Sequence, residues 1–267
     1  MPGNEERWHD AGMTVQETPD EDTEDRPGPL NGEHDATSEE LLDALPDTTT
    51  VDLPLLLLTA ISTVVVLVGL FANNVAIIIG AMVVSPLLSP INGFTLELAV
   101  GRPRRALANL RALLLLVVLI VTLSAAITVV LFSMGPVVIT PQILDRFERR
   151  EVYLGMAVLL GFAGIVAQVK GFHESLVGIG ISLALLPPAA VAGIAVVMFR
   201  TSALSALALA FDNIIGVLIG GFLGTFYFRL GPAEWWRRGT ARKALLRTFG
   251  VLLALLTLLY VSLLFTS

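Results

Sequence analysis

Long apolar stretches separated by short polar or charged turns make up most of the chain after residue 52. A bilayer core about 30 Å thick is crossed by a helix of roughly 20 apolar residues, and seven stretches come close to or exceed that length. The pattern predicts an all-α protein, a polytopic transmembrane helix bundle of about seven spans. The predicted spans cover residues 53–72, 73–100, 112–132, 152–169, 173–199, 201–228 and 245–265.

The second and fifth spans contain prolines, which predict interrupted helices. Ser85-Pro86 and Ser89-Pro90 lie in the second span, and Pro187-Pro188 lies in the fifth. A proline inside a helix removes one backbone donor and frees the carbonyl about four residues earlier. Each serine suits an N-cap, so a half-helix beginning there would direct its partial positive charge at the bilayer middle. The alternative is a pair of kinked helices packed tightly against their neighbours.

Similar features recur about 100 residues apart, which indicates an internal repeat. Asn73-Asn74 precedes Gly80 by the interval that separates His173-Glu174 from Gly180, and long helices with Asn109 and Asn213 follow. The two units are residues 53–134 and 152–230. Because each holds three crossings, the second would be inverted relative to the first, an arrangement found in transporters. Chance similarity among apolar sequences is the alternative.

The overall composition supports a membrane protein. Of the 267 residues, 55% are hydrophobic and 15% charged, and mean hydropathy is +0.79. Soluble domains are roughly 45–50% apolar and about 25% charged. The chain has no cysteine, which excludes disulfides, cysteine-ligated metals and a thiol nucleophile.

Charge is divided unevenly along the chain. Residues 1–52 hold 16 of the 23 acidic residues and predict a largely disordered tail, either a solvated terminus or a docking arm. The chain start has no basic and apolar pattern of a cleaved signal peptide.

Basic residues predict the orientation, because Lys and Arg accumulate on the cytoplasmic side. With seven crossings, 11 basic residues fall on the side of the N-terminus and four on the other, against nine and six if the interrupted segments are re-entrant. The N-terminus is therefore expected in the cytoplasm and the protein in the inner (plasma) membrane. Residues 135–151 would form a short extracytoplasmic amphipathic segment, and residues 231–267 a basic, Trp-containing linker with the final helix.

Asp212 lies about ten residues into the sixth span, where an ionised carboxylate is costly and usually functional. It could carry a proton or bind a cation, or it could be a neutral acid bonded to Asn213. Gly216, Gly220 and Gly224 form a glycine ridge on the same helix, which indicates close helix packing. Glu97 and Glu174 fall near predicted helix ends and are expected at the interface.

No constellation suited to catalysis is found. His173 is the one histidine in the membrane region, and it has no nucleophile or metal partner at a recognisable spacing. No enzyme activity, cofactor, metal or nucleic-acid partner is expected. The expected partners are the lipid bilayer, a small solute or ion, and a second copy of the chain. The candidate binding residues are Ser85, Pro86, Ser89, Pro90, Asn92, Pro187, Pro188, Asp212 and Asn213.

Several of these motifs together resemble a known family. The stretches at residues 74–90 and 181–193, followed by Asp212-Asn213, are similar to the prokaryotic membrane family known as domain of unknown function 389. Residues 140–144 and 161–164 are similar to it too, and the resemblance covers about residues 53–231. It implies a multi-spanning membrane protein without an established activity. Some relatives carry a folded cytosolic domain where this chain has its acidic tail.

Two functions follow as hypotheses. The first is a transporter or channel-like permease for a small solute or ion, whose substrate lies between the two interruptions. Coupling of this transport to a proton or another cation is part of the hypothesis. The second is a non-transporting membrane scaffold or sensor that oligomerises through the glycine ridge and acts through the acidic tail.

Overall fold

A computed structural model describes residues 50–146, 151–171, 174–199, 203–231 and 238–264. Within these ranges the chain forms helices and turns and no strand, and the described residues belong to one compact unit. Residues 1–49 of the acidic tail, His173 and Trp235-Trp236 lie outside the described ranges. The helices are α1 (Leu53–Phe71), α2 (Val75–Val84), α3 (Leu88–Ala99), α4 (Pro103–Met134), α5 (Pro141–Leu144), α6 (Glu151–Lys170), α7 (Glu174–Met198), α8 (Ala203–Tyr227) and α9 (Arg238–Leu264).

Five of the described helices are long and apolar enough to cross a membrane, and a sixth span results if α2 and α3 count as one. The final helix, α9, is not among these, so seven crossings stay a prediction. In α7 and α8, 78% of the residues in the most apolar stretch are buried, against 33–39% in α1, α4 and α6. Helices α7 and α8 therefore form the centre of the bundle. Helices α1, α4 and α6 expose apolar side chains, as expected for surfaces that face lipid.

In the sequence, Asp52 and Pro54 are a suitable N-cap and first-turn proline for the first span, and the first helix begins as this pattern predicts. Asp52 is the N-cap of α1, its side chain accepts a hydrogen bond from the backbone N–H of Leu55 at 3.1 Å, and Pro54 lies in the first turn. This arrangement satisfies one of the donors that a helix start leaves unpaired.

The chain bends by 49° between α2 and α3. The two serines are not N-caps there, which corrects the sequence-based expectation. Ser85 is the C-cap of α2, Leu87 precedes α3 without a side-chain cap, and Ser89 is inside α3. Pro90 is the third residue of α3, where the missing N–H removes no intrahelical bond.

The expected interruption at Pro187-Pro188 is wrong. Helix α7 continues from Glu174 to Met198 with both prolines inside it. A hydrogen bond from the side chain of Asn213 in α8 contributes to this continuity.

The glycine ridge of α8 packs inside the molecule. A Cβ atom on Gly220 would meet the carbonyl oxygen of Val158 in α6, and one on Gly161 would meet the carbonyl of Val217 in α8. The neighbouring glycines of the ridge, Gly216 and Gly224, also face α6. The ridge therefore brings two helices of one chain together, as small residues do in membranes, and is not available to a second copy.

The connection between α4 and α6 is anchored to the bundle. The hydroxyl of Thr140 donates to the carbonyl of Leu70 at the end of α1, at 2.6 Å, and Ile143 of α5 is completely buried. The predicted amphipathic segment thus contains a single four-residue helical turn, with Ile143 buried and Leu144 exposed. Phe147, which belongs to the same predicted segment, lies outside the described ranges.

Candidate functional site

The most specific polar contact in the centre joins α8 to the proline-bearing helix. Pro188 has no N–H, so the carbonyl of Ala184, four residues earlier, has no donor within α7. The Nδ2 atom of Asn213 donates to that carbonyl oxygen at 2.8 Å. An unsatisfied backbone group in hydrocarbon costs several kcal/mol, and this side-chain bond explains how α7 continues past its prolines.

A cavity of about 90 Å³ lies beside this contact. It is bounded by helices α6, α7 and α8 and by the turn after α5. Two of the nine candidate residues, Pro188 and Asn213, line it. The other lining residues are Arg146, Tyr153, Met156, Leu160, Leu183, Ala184 and Leu209.

Asn213 contributes a polar atom to this region beyond the bond to α7. Its Oδ1 atom is buried and has no hydrogen-bond partner among the described residues. Buried polar atoms in proteins usually have a partner, protein or water. A ligand or water in the cavity could supply the missing donor.

Arg146 is the charged residue that lines the cavity. It follows α5 and is half-buried, and its Nη1 atom donates to the carbonyl of Gln142 at 3.1 Å. Burial lowers the pKa of the Arg146 guanidinium, because desolvation disfavours its charge, while Tyr153 and Asp145 act in the opposite direction. The sequence assigned this arginine to the extracytoplasmic amphipathic segment of residues 135–151. The apolar Ile143, three residues earlier, is the signal that this segment packs into the bundle.

The candidate residues near the α2–α3 bend lie elsewhere. Asn92 is buried in α3, and its Nδ2 atom donates to the carbonyl of Gly164 in α6 at 3.5 Å. Oδ1 of Asn92 and the hydroxyl of Ser85 have no hydrogen-bond partner in the described part of the chain. These two residues, with Pro86, Ser89 and Pro90, are not among the residues that line the cavity.

Asp212 and Pro187 are immediate neighbours of cavity residues but do not line the cavity themselves. Asp212 is buried in α8, with 9% of its surface exposed. Its carboxylate therefore belongs to the packed centre of the bundle.

A buried ion-paired carboxylate was not anticipated from the sequence. Glu97 is buried near the end of α3, and its Oε1 atom lies 3.1 Å from Nε of Arg105 in the first turn of α4. Arg102 lies 3.9 Å from Oε2 of the same carboxylate. The turn at Gly101, with a φ of 78°, brings the two helix ends together. The pairs close the α3–α4 turn.

Long apolar helices around a packed centre define a multi-pass α-helical membrane protein. A family model described as "domain of unknown function (DUF389)" matches residues 82–219, and the chain belongs to that family. An uncharacterized protein of Methanocaldococcus jannaschii is 28% identical over 207 residues, which are 77% of this chain and 63% of that protein. The chain thus spans less than two thirds of that relative. No solved structure matches the chain.

Proposed function

We propose that this protein is an integral membrane permease for a small solute or ion and has no enzymatic activity. The observation that carries the proposal is the cavity between α6, α7 and α8, next to a carbonyl released by Pro188. Non-ideal backbone at membrane depth is tolerated where protein or a wet cavity covers it, and transporters bind substrates at such places.

Two inverted three-helix repeats, residues 53–134 and 152–230, are part of this proposal. The side-chain amide of Asn109 in α4 lies against Gly93 of α3, where a Cβ atom would be 2.8 Å from Nδ2. Asn213 of α8 bonds the backbone of α7. In each proposed repeat, an asparagine of the third crossing thus contacts the proline-bearing second crossing, which supports a common origin.

The proposed topology has seven crossings, with the final helix α9 as the seventh, and places the N-terminus in the cytoplasm. It rests on the 11-to-4 division of basic residues, and the inner membrane follows from a prokaryotic family. The scaffold hypothesis used the glycine ridge as the contact between two copies of the chain. That surface is not available for such a contact, because the ridge packs against α6 of the same chain.

Cysteine accessibility tests the permease, and the chain offers a matched pair in a background without cysteine. Leu209 and Leu218 are both buried leucines of α8, but only the former lines the cavity. Single Leu209→Cys and Leu218→Cys variants would be treated with sulfonatoethyl methanethiosulfonate in spheroplasts and in inverted vesicles. We expect Leu209→Cys to react in both preparations and Leu218→Cys in neither.

Each other outcome has a defined meaning. Reaction of Leu209→Cys from one side alone would favour a sensor with a one-sided pocket. Equal failure of both variants, with full reaction after denaturation, would mean a dry cavity and would end the permease proposal. Ser85→Cys, measured in parallel, reports whether the α2–α3 bend opens to the same water-filled space.

A further inference from the structure

We infer that the cavity binds a short monocarboxylate, with the carboxylate on Arg146 and the carbon chain on the apolar wall. The inference rests on the proposed permease function and names its substrate class.

The charge of the cavity selects an anion. Arg146 is the charged lining residue, and none of the carboxylates whose side chains the structure describes forms an ion pair with it. Asp145 is adjacent in sequence but exposed and outside the lining. A guanidinium has five N–H donors in a planar fork that matches a carboxylate, and the hydrogen bond to the Gln142 carbonyl uses Nη1.

Partial burial strengthens this preference. Arg146 has lost part of its water, which is why its pKa is lowered. An incoming anion would restore favourable interactions to a cation that the fold has partly desolvated. Attraction between opposite charges is also greater there than at a fully exposed site.

The wall and the size of the cavity define the rest of the ligand. Met156, Leu160, Leu183 and Leu209 provide an apolar surface suited to a short carbon chain. A volume of about 90 Å³ equals the liquid volume of about three water molecules, which limits the ligand to a few heavy atoms. A single guanidinium in such surroundings does not compensate the dehydration of a divalent anion such as sulfate, which leaves a small monovalent carboxylate.

Pyruvate is a suitable probe, because it stays ionised and crosses bare lipid slowly. Thermal unfolding of the purified full-length protein would be measured with sodium pyruvate, sodium sulfate and tetramethylammonium chloride at equal ionic strength. We expect pyruvate alone to raise the midpoint, since a ligand that binds the folded state stabilises it. Arg146→Gln should weaken pyruvate binding by at least about tenfold and Arg146→Lys by less. Arg104→Gln, an exposed arginine in the first turn of α4, should leave binding unchanged.

A second measurement does not depend on folding of the arginine variants. Pyruvate should slow the reaction of Leu209→Cys with the thiol reagent, and tetramethylammonium should not. Equal protection by both ions, or by neither, would overturn the carboxylate site.

Uptake of labelled pyruvate, tetramethylammonium and glycerol into proteoliposomes separates the two proposals. Pyruvate uptake that Arg146→Gln abolishes supports both. Uptake of glycerol or tetramethylammonium without a pyruvate effect keeps the permease and overturns the monocarboxylate. Pyruvate binding that depends on Arg146, without any flux, keeps the site and overturns the permease. Neither binding nor flux overturns both.

Discussion

Pro188 and Asn213 are complementary at the scale of single residues. The proline removes a donor from α7, and the amide of Asn213 supplies one, 29 residues from the carbonyl that needs it. Removing a donor from a buried carbonyl costs about 1–3 kcal/mol, and hydrogen bonds between membrane helices average somewhat less than 1 kcal/mol. The contact thus stabilises α7 where its own hydrogen bonding is incomplete.

This complementarity predicts a double-mutant result. Asn213→Ala should lower the free energy of unfolding by about 1–2 kcal/mol, because the Ala184 carbonyl loses its donor. In a Pro188→Ala background the cost should fall below about 0.5 kcal/mol, since the new backbone N–H bonds that carbonyl within the helix. Circular dichroism during unfolding in mixed SDS micelles would measure both.

The neighbouring proline provides the control for this cycle. Pro187→Ala restores a donor to the carbonyl of Leu183, which Asn213 does not contact, so the Asn213→Ala cost should be unchanged in that background. Equal costs in all three backgrounds would contradict the pairing of Asn213 with the effect of Pro188.

At the scale of helices, the contact between α6 and α8 depends on glycine. The backbones approach so closely that a Cβ atom on Gly220 would overlap the carbonyl of Val158, and one on Gly161 would overlap that of Val217. The helices carry the walls of the cavity, so their separation also determines its width.

Gly220→Ala should therefore destabilise the protein by about 2–3 kcal/mol, the upper part of the usual overpacking range, because backbone atoms cannot move aside as a side chain can. Gly155 is an exposed residue of α6, and no atom lies within 4 Å of an added Cβ. Gly155→Ala should therefore change the free energy of unfolding by less than about 1 kcal/mol. The same SDS unfolding measurement compares them. Similar losses for both variants would mean that close packing is not the cause.

At the scale of the whole molecule, α4 provides an internal standard for orientation. Arg104 lies in its first turn, and the exposed Val138 follows its end by four residues. The distribution of basic residues predicts that the former faces the cytoplasm. An impermeant thiol reagent should therefore label Val138→Cys in spheroplasts and Arg104→Cys in inverted vesicles.

The two positions must show opposite sidedness if α4 crosses the membrane. The reverse assignment would invert the topology without changing the fold, whereas labelling of both from one side would remove α4 from the list of crossings.

Much of the helix pattern follows from the sequence alone, because the cost of apolar surface in water and of bare backbone in lipid depends on local composition. The cap at Asp52 and the close packing of the α8 glycines were predicted from local spacing, and both are present. Membership in the family was likewise predicted from short motifs and is confirmed.

The tertiary structure decided what those local patterns could not. The prolines predicted a break in α7, and a side chain from another helix compensates it instead. The sequence placed Arg146 in an extracytoplasmic amphipathic segment, and the burial of the nearby Ile143 brings it to the cavity. Both outcomes depend on atoms far apart in sequence, and the free energy of a buried polar group is determined by those partners rather than by its own position in the chain.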